Sequence, residues 1–202
     1  MGYSSINKII IYLIILMFID LFQVVSAAEN NIDRLSESTE NEKNINLESE
    51  LKKIDILIKM GFESADIYYD RGWIHAEKGD YDLAKKDYSY ALKLDNSHAD
   101  AYFNRGLIYL KEKNFTKAIS DFSRAIKLNP EMSDAFCNRG NAYLRLGKSH
   151  KALEDYNKAI DLSGDDPDLY YNRGFIYQSL GRIKDADSDF NKVKELRDRI
   201  KR

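Results

Sequence analysis

Residues 102–106 read Tyr-Phe-Asn-Arg-Gly, and closely related strings occupy residues 68–72, 136–140 and 170–174. The glycines that close these strings follow one another at intervals of 34 residues. A constant period of this length is typical of proteins in which small structural units stack on one another, rather than of a single globular core. The period therefore predicts four units. We place them at residues 65–98, 99–132, 133–166 and 167–202.

Each unit contains two segments with helical periodicity. In the second unit, apolar or small side chains recur three and four residues apart over residues 100–112 and again over residues 116–128, which is the spacing of one helix face. The pair Lys113-Asn114 separates the two segments and Asn129-Pro130 ends the second one, because such residues interrupt helices. Every unit is therefore predicted to be a helix–turn–helix.

Small residues recur at three places in each unit, namely Gly106, Ala118 and Ala125 in the second. A glycine inside a helix costs about 1 kcal/mol relative to alanine, so its fourfold recurrence indicates a packing requirement. We predict that these small residues face one another and let the two helices approach closely. The same places elsewhere hold Gly72, Ala84, Ala91, Gly140, Ala152, Ala159, Gly174, Ala186 and Val193.

The order of these side chains resembles the tetratricopeptide repeat family over roughly residues 65–200. The family pattern of an aromatic residue, glycine, tyrosine, alanine, an aromatic residue, alanine and proline matches Tyr102, Gly106, Tyr109, Ala118, Phe122, Ala125 and Pro130. The resemblance implies an all-α fold, a right-handed α-solenoid of stacked repeats, and a non-catalytic role in protein binding. The chain departs from the pattern at His75, which replaces the usual tyrosine, and only the second repeat keeps the closing proline.

A further departure is an arginine before each glycine, where the family most often has leucine. An aspartate also recurs in every second helix, and antiparallel helices would bring Arg105 close to Asp121 of its own repeat and to Asp87 of the preceding one. We predict a ladder of ion pairs between helices; the alternative is a set of solvated charges that contribute about 0–1 kcal/mol each. The ladder residues are Arg71, Arg105, Arg139 and Arg173 with Asp87, Asp121, Asp155 and Asp189.

One stripe of the first helices lies opposite the packing face, and in the resembled family it lines a concave groove that receives peptides. We call it the groove face; it comprises Asp66, Tyr69, Trp73, Asp100, Phe103, Leu107, Asp134, Cys137, Asn141, Asp168, Tyr171 and Phe175. Its rings and acidic edge would suit a protein segment with apolar anchors and a basic residue. The alternative is that the rings pack against the next repeat and that the aspartates only complement the helix dipoles, by about 0.3–1 kcal/mol each.

Some members of the family hold a chaperone's C-terminal carboxylate with a clamp of lysine, arginine and asparagine side chains on this groove. The corresponding positions here are mostly aromatic or apolar, and Asn141 is the only one of a matching type. We therefore predict no such clamp. Cys137 is predicted to be a small packing residue and not a redox site.

Residues 1–28 have the pattern of a targeting segment. Lys8 precedes an apolar run at residues 9–19, and residues 25–28 offer a small-residue cleavage site. Because Asp20 leaves the run shorter than the roughly 20 residues that span a bilayer, we predict a removed signal peptide. The alternative is a retained membrane tether at residues 9–25. The protein is accordingly predicted to be exported, to the periplasm or another extracytoplasmic site, or else anchored in the inner membrane.

The segments that flank the repeats also have distinct patterns. Residues 29–46 carry five acidic against two basic residues and are predicted to be a disordered polar spacer. Apolar residues at helical spacing predict that residues 47–64 contain a capping helix that covers the first repeat. The last helix is predicted to run from residue 184 to about residue 200. Either it caps the array itself, or the open end of the fourth repeat binds a partner or a second copy of the chain.

Composition narrows the classes of function. A net charge of −2 gives no electrostatic reason to bind nucleic acid, one cysteine cannot form an intramolecular disulfide framework, and the three histidines are too scattered for a local metal pair. The repeats contain no phosphate-binding loop, nucleophile elbow or His-Glu metal pair. We therefore predict no catalytic, cofactor-binding or metal residues. The expected function is a scaffold or adaptor for a protein or peptide; the alternative is a membrane-tethered assembly factor or an accessory subunit of an envelope enzyme complex.

Overall fold

The computed structural model describes residues 43–200, and every regular element within them is a helix. The first helix, α1, covers residues 43–59. The others follow in closely spaced pairs: α2 (Ala65–Glu77) with α3 (Tyr81–Leu94), α4 (Ala99–Lys111) with α5 (Phe115–Leu128), α6 (Ser133–Arg145) with α7 (Ser149–Leu162), and α8 (Pro167–Ser179) with α9 (Ile183–Ile200). Each pair contacts the next one along the chain, as in a solenoid, where stability comes from each repeat and its nearest neighbours. The all-α solenoid expected from the sequence is confirmed.

The chain divides into two compact units, Met1–Lys53 and Ile54–Arg202. In the described part of the first unit, Lys53 donates to the Glu50 carboxylate at 2.6 Å. Residues 43–46, which the sequence placed in the spacer, are helical, because their carbonyls accept the amide hydrogens of the following turn once a helix has formed. The predicted targeting segment, the possible tether at residues 9–25 and spacer residues 29–42 lie outside the described residues.

The part of α1 that belongs to the second unit contacts the first repeat. The Ile58 side chain packs against the core cluster that contains Tyr68 and Tyr88. Arg71 donates to the Asp55 carboxylate at 3.0 Å. These residues therefore lie where a capping helix would.

The glycines inside the first helices contact aromatic rings, which differs from the small-against-small packing expected from the sequence. A Cβ atom built on Gly106 would lie 2.8 Å from Cε1 of Phe122, and one built on Gly174 would lie 2.9 Å from Cε1 of Phe190. Phe122 is fully buried. Phe122 follows Gly106 by 16 residues and lies on the face of α5 that is turned toward α4. Its ring therefore packs directly on Gly106. The glycines thus make room for an aromatic side chain of the same repeat.

The turn between the two helices of each repeat uses a left-handed backbone conformation. Gly79, Gly147 and Gly181 adopt it in the first, third and fourth repeats, with φ angles of 84°, 71° and 72°. In the second repeat Lys113 adopts it with a φ of 60°, and no other non-glycine residue of the described chain has a positive φ. Glycine is the residue that adopts this conformation without steric cost.

The last helix is longer than its counterparts. α9 has 18 residues, whereas α3, α5 and α7 have 14 each. Its final turns bury Val193 and Leu196, and Arg197 lies 3.4 Å from the Asp168 carboxylate of α8. Within residues 43–200 no helix is both long and apolar enough to cross a membrane.

Candidate functional site

Each repeating arginine forms a two-pronged ion pair with the aspartate 16 residues later. Arg105 donates from Nε and Nη2 to the two carboxylate oxygens of Asp121 at 2.8 and 2.9 Å. The other three pairs have the same geometry, with distances of 2.7 and 2.9 Å. All four aspartates are buried, and burial in a matched, two-pronged geometry makes such pairs stronger than solvated charges. They are Arg71–Asp87, Arg105–Asp121, Arg139–Asp155 and Arg173–Asp189.

The third donor of each arginine reaches the preceding structural element, but the partner is not the one expected. Arg105 Nη1 donates to the Ser89 hydroxyl at 2.9 Å, not to Asp87. Asp87 is already paired with Arg71. Nη1 of Arg105 therefore bonds to Ser89, which follows Asp87 by two residues on α3. Equivalent bonds join Arg71 to Asp55, Arg139 to Ser123 and Arg173 to Asn157. Each arginine therefore joins the helices of its own repeat and also links that repeat to the element before it.

The rings of the groove face divide into packed and exposed members. The Tyr69 ring lies 4.6 Å from that of His98, and its hydroxyl accepts a hydrogen bond from Asn104 at 2.9 Å. Phe103 lies 5.8 Å from Phe122 and, like Leu107, packs against the core cluster of the second repeat. These side chains hold neighbouring helices together. The exposed rings are Trp73, Tyr171 and Phe175, at 44%, 48% and 60% exposure.

In the third repeat the groove face has small or polar side chains in place of rings. Cys137 packs against the cluster around Tyr156, and burial raises the pKa of its thiol to about 12. A thiol with so high a pKa is almost wholly protonated at neutral pH and is a poor nucleophile. Asn141 accepts a hydrogen bond on Oδ1 from the Tyr156 hydroxyl at 2.5 Å. Cys137 and Asn141 therefore fill less of this part of the face than rings would.

All four aspartates of the groove face lie in the first turn of their helices and are exposed. Asp66 lies 3.5 Å from Nε2 of His98, and Asp168 faces Arg197. Asp100 and Asp134 have no ion-pair partner among the described residues. The two outer aspartates of the groove face, Asp66 and Asp168, therefore have partners within the protein. The two middle ones, Asp100 and Asp134, remain available to a ligand.

Sequence reasoning missed two features near this face. One is the imidazole of His98, which caps α4 by accepting on Nδ1 from the Ala101 amide at 3.3 Å. The other is a basic group at the opposite end of the first helices, formed by Lys111, Lys113 and Arg145 around a cavity. The sequence does contain a signal for the basic group, because Lys113 interrupts the series of turn glycines that recur every 34 residues.

Among residues 43–200 no cluster of three or more histidine, cysteine, aspartate or glutamate side chains could hold a metal ion. His75 Nδ1 is buried without a hydrogen-bond partner in the described structure, with carboxylate oxygens of Asp80 and Asp87 at 3.9 and 3.7 Å from its two ring nitrogens. The His75 side chain is 13% exposed and lies between these two carboxylates.

Solved structures with this arrangement of helices include proteins that bind peptides. MamA (residues 41 to the end) from Desulfovibrio magneticus RS-1 is 26% identical, with a TM-score of 0.70 over 75% of this chain and 85% of that one. The first repeat domain of Spaghetti (RPAP3), bound to the HSP90 peptide SRMEEVD, is 27% identical, with a TM-score of 0.57 over 58% of this chain and 94% of that one. YrrB, described as having an unusual peptide-binding site, is 22% identical over 75% of this chain and 78% of that one, with a TM-score of 0.67, and shows the fold alone.

Family models match most of the repeat region. A search of curated protein sequences gave no significant match. Models described as tetratricopeptide repeat match residues 99–132, 122–154 and 167–199, and a model described as TPR repeat matches residues 72–113 and 145–181. With the stacked helix pairs described above, these matches establish that the chain belongs to the tetratricopeptide repeat family.

Proposed function

We propose that this protein is a non-catalytic scaffold or adaptor that binds a segment of a partner protein on its groove face. The observation that carries the proposal is the exposure of Trp73, Tyr171 and Phe175 on the first helices. Large aromatic side chains dominate the binding energy of many protein interfaces. The peptide bound to the related domain of Spaghetti (RPAP3) supports a protein segment as the partner.

The chemistry of the face suggests what such a segment carries. Its apolar side chains would pack on the exposed rings, and a lysine or arginine would pair with Asp100 or Asp134. Complementary charges of this kind contribute to orientation and association rate more than to affinity. The packed members of the face, such as Tyr69 and Phe103, would serve to fix the helices that present the exposed ones.

The test compares capture of partners from an extract of the native host by three single variants. Trp73→Ser and Phe175→Ser each remove an exposed ring of the groove face. Leu83→Ser is the matched control, because Leu83 lies on the second helix α3 and is as exposed as Trp73, at 44%. We expect the two groove variants to lose partners that the native chain and the control retain, with thermal unfolding unchanged. Equal capture by all variants would refute the groove face as the binding surface.

We further propose that the protein acts after export across a membrane, at an extracytoplasmic site. The support is the pattern of residues 1–28, with Lys8, the apolar run at residues 9–19 and the small residues at 25–28. Mass measurement of the protein purified from its own host tests this. Loss of about the first 28 residues is expected, and an intact N-terminus would instead favour the tethered assembly factor.

A further inference from the structure

A cavity of about 750 Å³ lies between the turn that joins α4 to α5 and the exposed end of α6. Its lining combines three cationic side chains with two apolar ones and one amide, and contains no carboxylate. The lining residues are Leu110, Lys111, Lys113, Phe115, Asn141 and Arg145. An anionic group that entered this cavity would meet positive charge without competition from acidic side chains of the wall.

The left-handed backbone conformation of Lys113 indicates that its side chain has a function. Its φ of 60° is left-handed, and the equivalent residues of the other three repeats are glycines. A residue with a Cβ atom is strained in this conformation, and strain of this kind is concentrated at functional sites. Glycine would relieve it, as in the other repeats, at the loss of one positive charge from the cavity wall.

Two of the three cations are available to a ligand. Lys111 contacts the Tyr81 hydroxyl and lies over its ring at 4.3 Å from the centroid, so it is already held. Lys113 and Arg145 are exposed, and neither side chain has an ion-pair or hydrogen-bond partner among the described residues. They form the charged wall that a ligand can reach.

Asn141 connects this cavity to the groove face, to which it also belongs. Its Oδ1 accepts from Tyr156 at 2.5 Å, which leaves its Nδ2 with a contact to Cys137 Sγ at 4.0 Å. That amide group can therefore donate to a ligand. Along α6, Asp134 precedes Arg145 by eleven residues, or about 16 Å of helix, so the two ends of the same helix carry opposite charges.

We propose that the cavity is a specificity site for an acidic side chain of the partner segment. The glutamate or aspartate carboxylate would lie between Lys113 and Arg145, and an apolar neighbour in the segment would contact Leu110 and Phe115. The inference rests on the proposed function and deepens it, because a segment with a basic residue near Asp134 and an acidic one at the cavity can bind in only one orientation. Both cations lie outside the positions of the groove face, and the ligand is a side chain and not a chain terminus.

The experiment is a titration of the full ¹⁵N-labelled chain with two blocked pentapeptides. One is acetyl-Ala-Leu-Glu-Phe-Ala-amide, and the other has glutamine in place of glutamate. Blocking both ends removes terminal charges, so the two peptides differ only in the side-chain carboxylate. We expect the glutamate peptide to shift the amide resonances of residues 113, 141 and 145 and to bind about three to ten times more tightly than the glutamine peptide.

Three variants test the wall of the cavity. Lys113→Gly should weaken binding of the glutamate peptide by about three to ten times and at the same time raise the thermal unfolding midpoint, which no misfolded variant would do. Arg145→Gln should weaken binding to a similar extent. Lys127→Gln, which removes an exposed cation of α5 outside the cavity, should leave binding unchanged.

The outcomes separate this inference from the groove proposal. Equal affinities for the two peptides, unchanged affinity in Lys113→Gly, or no shift at the cavity residues with either peptide would overturn the inference. If in that case Trp73→Ser and Phe175→Ser still lose their partners, the groove proposal stands alone. Loss of the glutamate peptide in the cavity variants, with full partner capture by the groove variants, would retain the cavity and refute the groove face.

Discussion

The contact between Gly106 and the Phe122 ring predicts how Gly106→Ala changes the free energy of unfolding. Gly140, at the same place in the third repeat, is the matched site for comparison. An alanine at residue 106 would place its Cβ 2.8 Å from Cε1 and 3.0 Å from Cδ1 of Phe122, a ring that is fully buried and so has little room to move. At Gly140 the nearest ring atom, Cε2 of Tyr156, would lie at 3.2 Å. Gly140→Ala is therefore the milder change at the same place in another repeat.

The magnitude follows from two opposing terms. Alanine improves helix propensity by about 1 kcal/mol at either residue. Overpacking of a filled core costs about 1–3 kcal/mol, and only Gly106→Ala is expected to reach the middle of that range. We expect Gly106→Ala to lower the free energy of unfolding by about 1 kcal/mol, and Gly140→Ala to leave it nearly unchanged.

Urea unfolding followed by far-ultraviolet circular dichroism measures both values. Because repeat arrays can unfold in parts, hydrogen exchange of the α4 amides should be measured alongside. The double variant Gly106→Ala/Phe122→Leu is the control, since leucine leaves space for the new methyl group and should remove the penalty for alanine. The reasoning would be refuted if Gly106→Ala were as stable as the native chain, or no less stable than Gly140→Ala.

Two further predictions concern the ion-pair ladder and the cysteine. Arg105→Ala should lower the free energy of unfolding by about 3–5 kcal/mol, because it leaves the buried Asp121 carboxylate unpaired, whereas Ser89→Ala should cost only about 0.5–1.5 kcal/mol. A double-mutant cycle should show strong coupling of Arg105 with Asp121 and none with Asp87; zero coupling with Asp121 would contradict the ladder as a stabilising element. Burial raises the pKa of the Cys137 thiol to about 12, so less thiolate is present in the folded chain than in the unfolded one. At pH 8, iodoacetamide should therefore modify Cys137 of the folded chain at least about a hundredfold more slowly than Cys137 of the urea-unfolded chain. Similar rates would show that the thiol is not buried as described.

The fold was predictable because its determinants are local and repeated. A helix face is set by residues three and four apart, and each unit presents the same faces at the same interval, so one solution applies to all four. The arginine and aspartate stripes follow the same rule, since both lie at fixed places on two helices joined by a short turn. What could not be predicted was the partner of the third arginine donor, because the choice between Ser89 and Asp87 depends on how two neighbouring repeats are rotated relative to each other.

The sequence by itself therefore determined the helix pairs, their order and which side chains share the groove face. The tertiary structure alone decided which side chains of the groove face remain exposed. Trp73 and Leu107 occupy the same place in repeats that are each followed by another, yet Trp73 is 44% exposed whereas Leu107 packs against the core cluster that contains Phe122. The reason is physical: periodicity fixes the direction of a side chain on its own helix, but its burial depends on which residue the neighbouring repeat places opposite it. Lys113 shows both sides of this limit. The sequence alone reveals that it interrupts the series of turn glycines, whereas its place with Arg145 in the wall of one cavity follows from the packing of neighbouring repeats.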